Sequence, residues 1–215
     1  MTIKRNLRGH ALLEYKKKLK LTDIQRDILV GTLLGDASMQ AMKGNQEFNV
    51  KFEQKIEQAD YINHLYEKLQ DWVGTPPQIR NITGGNAKNR QSIWFRTYRH
   101  SAFTFYKGQF YKVNNNGKQY KVVPDKINRL LTPRALAYWF MDDGTKKKQC
   151  YVLNTQGFSM PEQKLLAKTL GKLYGLEVNV WKDKQYFTLA ILSGSGSAFV
   201  NLIKPYIQPS FLYKL

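Results

Sequence analysis

Ile28-Leu29-Val30-Gly31-Thr32-Leu33-Leu34-Gly35-Asp36-Ala37 is an apolar helical run that stops on a carboxylate. Ala135-Leu136-Ala137-Tyr138-Trp139-Phe140-Met141-Asp142-Asp143-Gly144 repeats the design half a chain later. In a chain of 215 residues, two copies at that offset read as two fused units, 1–125 and 126–215. A duplicated unit suits a target with two similar halves. Both runs carry start signals. Thr22 with Gln25 three residues on reads as a capping box, and Thr132-Pro133 reads as an N-cap followed by proline at the first helical position.

Outward from the first run, residues 47–53 alternate, so Phe48, Val50 and Phe52 are expected to face a core and Asn49 and Lys51 to face out. A helix is predicted over 58–73, with Ile62, Leu65, Tyr66, Leu69 and Trp72 at helical spacing, stopped by Gly74-Thr75-Pro76-Pro77. Strands follow at 78–81 and 92–98, the latter with Ile93 and Phe95 inward and Trp94, Arg96 and Tyr98 outward. A short helix at 101–110 closes the half. The second half repeats the order with a strand at 151–155, a helix at 161–174, a hairpin at 176–192 and a helix at 197–206.

A hydrophobic content of 42% supports a core. The longest apolar run is too short for a bilayer span, and the basic start lacks the apolar stretch of a signal peptide. Cys150 is the only cysteine, which excludes an internal disulfide and cysteine-based zinc modules. Against 16 Asp and Glu stand 34 Lys and Arg, a net charge of +18, and a polyanion is the partner this balance points to. No carboxylate occurs between Trp72 and Pro124 or from Lys184 onward. Outward phase and the carboxylate-free stretch nominate Lys51, Arg80, Lys88, Arg90, Arg96 and Arg99 as nucleic-acid contacts, with Lys146, Lys147 and Lys148 after the second run.

A carboxylate at a helix C-terminus is electrostatically unfavourable, because the last carbonyls already carry partial negative charge. Gly31 and Gly35 lie four apart on one helix face and permit close helix contact. If the two helices pack together, Asp36 and Asp143 come side by side with Gly35 and Asp142 next to them, an oxygen-only set that suits Mg²⁺ rather than zinc or copper. Hard cations beside a basic surface suggest phosphodiester hydrolysis. Each half also ends on a Tyr-Lys pair, Tyr120-Lys121 and Tyr213-Lys214, and these lysines are candidates to offset charge on a phosphate. His10, His64 and His100 have no spacing that suggests a metal site or triad.

Leu29 to Ala37 and Leu136 to Gly144 resemble the nine-residue motif of the LAGLIDADG homing endonucleases, in their single-chain form with two motif copies. The likeness extends through Leu131-Thr132-Pro133, Val152-Leu153-Asn154-Thr155-Gln156 and Asn201 to Tyr206 to nearly the whole chain, and it looks like an intron-encoded member specific for an rRNA gene. It implies an α+β fold of two pseudo-symmetric αββαββα halves, a saddle whose antiparallel sheets line a DNA groove and whose motif helices pack at the centre. The implied activity is site-specific double-strand cleavage across the minor groove of a long target, leaving 3′ overhangs. Mg²⁺ is the implied cofactor, with Mn²⁺ as a substitute, and Asp36, Asp143, Lys121 and Lys214 are the implied catalytic residues. The implied partner is double-stranded DNA, bound by a monomer in an organelle genome compartment, a mitochondrion or chloroplast. Ala37 and Tyr138 replace motif glycines, so the expected helix contact is asymmetric and the target need not be palindromic. Two rivals accompany this reading: an RNA maturase that assists splicing of its intron, and a fold relative acting as a transcription regulator, which would call for an additional DNA-binding domain.

Overall fold

The computed structural model describes residues 7–41, 47–82 and 90–215. In chain order the elements are α1 (Gly9–Lys17), α2 (Asp23–Leu34), β1 (Ser38–Ala41), β2 (Phe48–Lys55), α3 (Ala59–Leu69), β3 (Gln78–Ile82), β4 (Arg90–Arg96), α4 (Thr104–Phe110), β5 (Tyr111–Val113), β6 (Gln119–Lys121), α5 (Pro133–Asp143), β7 (Gly144–Lys147), β8 (Cys150–Leu153), α6 (Met160–Tyr174), β9 (Val178–Asp183), β10 (Tyr186–Ile191) and α7 (Gly196–Ile203). They form an α+β protein of two compact units. One holds the described residues up to 26 and of the span Asp36–Lys107; the other holds Asp27–Gly35 and Gly108–Leu215. The packing units are thus not contiguous in sequence, because Asp27–Gly35, most of α2 and the residue after it, group with the chain from Gly108 onward.

In the first unit the antiparallel sheet runs in the order β1-β2-β4-β3. Helix α3 lies against β2 and β4 and buries Tyr61, Ile62, Leu65 and Leu69. Beneath it Phe52 stacks on Phe95 with ring centroids 4.9 Å apart, and Tyr66 meets Phe95 edge-on at 5.8 Å. Such ring pairs add about 0.5–1.5 kcal/mol beyond the area they bury. The Thr22–Gln25 capping box forms: the Gln25 N–H donates to Thr22 Oγ1 at 3.2 Å, and the Thr22 N–H donates to Gln25 Oε1 at 3.1 Å. The same Oε1 accepts from Trp72 Nε1 at 3.1 Å, so the cap also ties the start of α2 to the end of the α3 segment. Helix α1 is fastened by Tyr15, whose hydroxyl donates to the Asp71 carbonyl at 2.8 Å.

Asn49 departs from the alternation reading. It is buried, and its Oδ1 has no hydrogen-bond partner. Strand β2 lies between β1 and β4, so side chains on both of its faces are flanked by neighbours and the polar phase is not automatically solvated. The predicted strand at 92–98 begins earlier, at Arg90, and ends at Arg96.

The second unit repeats the sheet order as β7-β8-β10-β9, all antiparallel. Helix α6 packs on β9 and β10. A capping box between Ser159 and Glu162 starts it, and Gly175 ends it in the left-handed conformation at φ +66°. Gln163, fully buried within it, donates to the Phe187 carbonyl at 3.1 Å and accepts from Thr155 Oγ1 at 2.6 Å, which satisfies a polar group that would otherwise be costly there. Helix α5 is buried from Ala135 to Met141. Its Phe140 meets Phe199 of α7 at 5.2 Å.

Candidate active site and nucleic-acid interface

In the second unit the C-terminal ends of the motif helices are built by close packing. Thr132 caps α5 by accepting from the Ala135 N–H at 3.1 Å, with Pro133 at the first position as the sequence predicts. Against α5 lie residues 27–34 of α2 and Gly35 just beyond it. A Cβ placed on Gly31 would stand 2.2 Å from the Ala135 carbonyl oxygen and 2.7 Å from Tyr138 Cβ, and one on Gly35 would stand 2.4 Å from Asp142 Oδ2. Only glycine permits this approach, and the bulk on the other side is Tyr138, so the contact is asymmetric. At the N-terminal end of α5 Arg134 pairs with Asp27 at 3.1 Å and lies over the Tyr206 ring at 5.0 Å.

Helix α5 ends on Asp143 and passes directly into β7 at Gly144, whereas α2 ends at Leu34, its last rung being the Gly35 N–H to the Gly31 carbonyl at 3.1 Å. Asp36 therefore stands just beyond its helix rather than on its last residue. Asp142 and Asp143 are half-buried, and the Asp143 carbonyl accepts from the Asn154 N–H at 3.0 Å. Lys121 and Lys214 are half-buried as well. The Lys121 ammonium donates to the Gly35 carbonyl, and that of Lys214 donates to the Met141 carbonyl at 2.7 Å. Each lysine thus holds a main-chain carbonyl at the C-terminal end of a motif helix, Gly35 just past α2 and Met141 in the last turn of α5, where negative charge gathers.

In the first unit Asp36 is exposed, and its Oδ2 accepts from Gln54 Nε2 at 2.7 Å. A cavity of about 580 Å³ opens there, lined by Asp36, Glu53, Gln54, Lys55 and Arg90 among others. Strand register puts Lys51, Glu53, Trp94, Arg96, Ser92, Arg90 and Arg80 on one face of the sheet. Lys51 and Arg96 lie over the Trp94 ring at 5.4 and 5.9 Å. Glu53 sits among these cations. It pairs with Lys51 and, at 2.5 Å, with Arg80, and it accepts from Ser92 Oγ at 2.6 Å. Burial pushes the Glu53 carboxyl up, but hydrogen bonds from Lys51 and Ser92 and the charges of Lys51 and Arg80 outweigh it and leave the group below the ordinary carboxylate range.

Arg99 lies past the end of β4, half-buried, with its Nε buried and without a hydrogen-bond partner. Lys88 lies outside the described residues. Lys146 lies over the Tyr151 ring at 5.8 Å, Lys147 falls on the opposite face of β7, and Lys148 occupies the following turn at φ +53°. These three lysines diverge rather than form one patch. Gln54 and Glu53 are not among the residues the sequence nominates. Gln54 carried a signal, being a polar residue on the phase of Val50 and Phe52.

The donors beside the motif ends are carboxylate and main-chain carbonyl oxygens. Among the described residues no three His, Cys, Asp or Glu side chains gather into a cluster. That donor set fits Mg²⁺, which takes one or two carboxylates and completes its shell with water and substrate phosphate oxygens.

Residues 26–199 match the model of the LAGLIDADG DNA endonuclease family. A probable intron-encoded endonuclease 1 of Wickerhamomyces canadensis is 34% identical over 94% of this chain and 88% of its own length. The DNA endonuclease I-ChuI of Chlamydomonas applanata is 29% identical over 92% of this chain and 96% of its own. The cytochrome b mRNA maturase bI2 of Saccharomyces cerevisiae is 30% identical over 87% of this chain but only 46% of its own length. Among solved structures, the homing endonuclease I-WcaI bound to its DNA recognition sequence superposes with a TM-score of 0.88 at 30% identity, covering 98% of this chain and 94% of that one. With two motif helices, two sheets of identical strand order and these relatives, the chain belongs to the LAGLIDADG DNA endonuclease family.

Proposed function

We propose that this protein is an intron-encoded homing endonuclease that cleaves both strands of a long asymmetric DNA site across the minor groove and leaves 3′ overhangs. The observation that carries the reading is the pair of motif helices, each followed or ended by an Asp and each with a lysine ammonium on a main-chain carbonyl at its C-terminal end. A sheet face of cations and an indole supports it by offering phosphate contacts and an apolar surface for sugar and base. The two halves, 1–125 and 126–215, would each serve one strand, and the protein would work as a monomer in an organelle genome compartment.

Asp36 and Asp143 would hold Mg²⁺, with the main-chain carbonyls of Gly35 and Asp142 as neighbouring donors. When bound, the metal lowers the pKa of a coordinated water and stabilises the leaving oxygen. Gln54 fixes the rotamer of the Asp36 carboxylate by its amide hydrogen bond. Lys121 and Lys214 keep a positive charge within reach of the phosphate at each motif end, where it offsets charge that grows in the transition state. Lys51, Arg80, Arg90 and Arg96 anchor the backbone, with Lys88, Arg99, Lys146, Lys147 and Lys148 as further proposed contacts.

The test is incubation, in Mg²⁺, with a supercoiled plasmid carrying the joined exons that flank the intron encoding the protein. Linear product is expected, with Ca²⁺ supporting binding but not cleavage. Asp36→Asn and Asp143→Asn should each abolish the linear product while duplex binding persists. Full cleavage by either variant removes that aspartate from the active site. The maturase reading draws on the yeast relative and predicts that the purified protein accelerates splicing of its intron transcript in a cleavage-dead Asp36→Asn background.

A further inference from the structure

Glu53 is out of place on a surface that binds polyanions. Among the register neighbours on its sheet face, Lys51, Arg80, Arg90 and Arg96 are cations, and Glu53 is the carboxylate they surround. It is not a stray surface acid. Its side chain is 23% exposed, it engages Lys51 and Arg80 at once, and Ser92 Oγ donates to it at 2.6 Å while accepting from Arg80 Nε at 3.2 Å. The four side chains form a closed network in which two cations proposed to meet DNA are already occupied.

That arrangement has a consequence for binding. A phosphate that captures Lys51 or Arg80 must take it from Glu53, and it leaves a partly desolvated carboxylate facing the negative potential of a groove with only Ser92 as donor. Unpaired charge of that kind is strongly unfavourable. The loss is offset only where the duplex supplies a donor to the carboxylate, such as the exocyclic amino group of cytosine. We propose that Glu53 is a specificity-determining residue that holds Lys51 and Arg80 away from the phosphates of arbitrary DNA and releases them where a base amino group takes their place. This inference rests on the reading of the protein as a DNA endonuclease.

The experiment uses the full-length protein and a 30-base-pair duplex of random sequence, with affinity measured from 50 to 300 mM salt. Glu53→Gln keeps the shape and the Ser92 hydrogen bond while removing the charge. Each cation freed for phosphate steepens the slope of log K against log salt by about 0.9, and the same relation gives about eightfold tighter binding per cation at 0.1 M salt. Glu53→Gln is therefore expected to bind random DNA more tightly with a slope steeper by roughly 0.9–1.8. Combining it with Lys51→Met should remove one cation's share of that gain. A Glu53→Gln protein with unchanged slope and affinity, or with weaker binding, overturns the proposal and makes Glu53 a mere support for its neighbours. Wild-type protein that binds no duplex at all refutes the endonuclease reading instead. Because a misfolded variant would also bind weakly, thermal unfolding of each variant is measured alongside, and Glu53→Asp, which retains the charge, should restore the wild-type slope.

Discussion

Replacing Gly31 by alanine adds one methyl group at the point where α2 meets α5. That carbon would stand 2.2 Å from the Ala135 carbonyl oxygen, 2.7 Å from Tyr138 Cβ and 3.0 Å from the Trp139 nitrogen. None of these is the far end of a flexible side chain; two are backbone atoms of a helix whose residues from Ala135 to Met141 are all buried. Relief requires the helices to separate by about an ångström, because ordinary carbon contacts begin near 3.5 Å. Overpacking costs about 1–3 kcal/mol, and the backbone clash puts Gly31→Ala at about 3. For a chain of this size that lowers the melting temperature by about 6–12 °C. Gly108→Ala is the matched control. Gly108 sits exposed within α4 with nothing within 4 Å of an added Cβ, so the better helix propensity of alanine should stabilise by about 0.5–1 kcal/mol. Calorimetry of both variants reads the difference directly. A Gly31→Ala protein that melts at the wild-type temperature would show that the helices part without cost and that close packing at Gly31 does not stabilise the fold.

Gln54→Leu keeps the bulk but removes the donor to Asp36, and single-turnover cleavage should slow about 10–100-fold with duplex affinity nearly unchanged; parallel losses in both would make Gln54 a DNA contact. Lys121→Met and Lys214→Met should each slow one strand and let nicked plasmid accumulate, visible on strand-resolved gels, and simultaneous loss of binding would refute a role in the chemical step. His64 is held neutral by burial first and by the nearby Lys68 charge second, which bring its pKa down to about 4. The unfolded chain takes up that proton near 6.5, so stability is full above that value and is lost as pH falls from about 6.5 to about 4. The melting temperature of His64→Gln should vary less with pH across that window, and an unchanged profile would clear His64.

The parts legible in the sequence were those fixed by local chemistry. Thr22 with Gln25 and Thr132 with Pro133 announce their caps because capping needs only residues three apart. Gly31 and Gly35 point to a close approach because two small residues four apart fall on one helix face. What escaped depended on neighbours distant in the chain. Asn49 looks solvent-facing by alternation, yet β2 is an interior strand and the amide is buried. Arg99 belongs to a carboxylate-free stretch but follows the end of β4, so outward strand phase does not apply to it. Glu53 and Gln54 could be seen as polar strand residues; that one holds a lysine and an arginine side chain and the other the motif carboxylate follows from register across β1, β2, β3 and β4, which no single segment encodes.

The two lysines resolve the electrostatic difficulty that the motif raises. A helix end that already carries about half a negative charge is joined by a carboxylate, and the ammonium on the helix-end carbonyl offsets both, at about 0.3–1 kcal/mol per cation near a helix C-terminus. The two ends are not equivalent, however. Lys121 holds the carbonyl of Gly35, the seventh residue of its motif, whereas Lys214 holds that of Met141, the sixth of the other. One residue along a helix is a rise of about 1.5 Å, so the two ammonium groups occupy different places relative to their motifs. Charge stabilisation depends on such displacements. If each lysine serves one strand, as proposed, the two strands should be cut one after the other, and nicked plasmid should precede linear product in a time course; linear product with no nicked species would refute this.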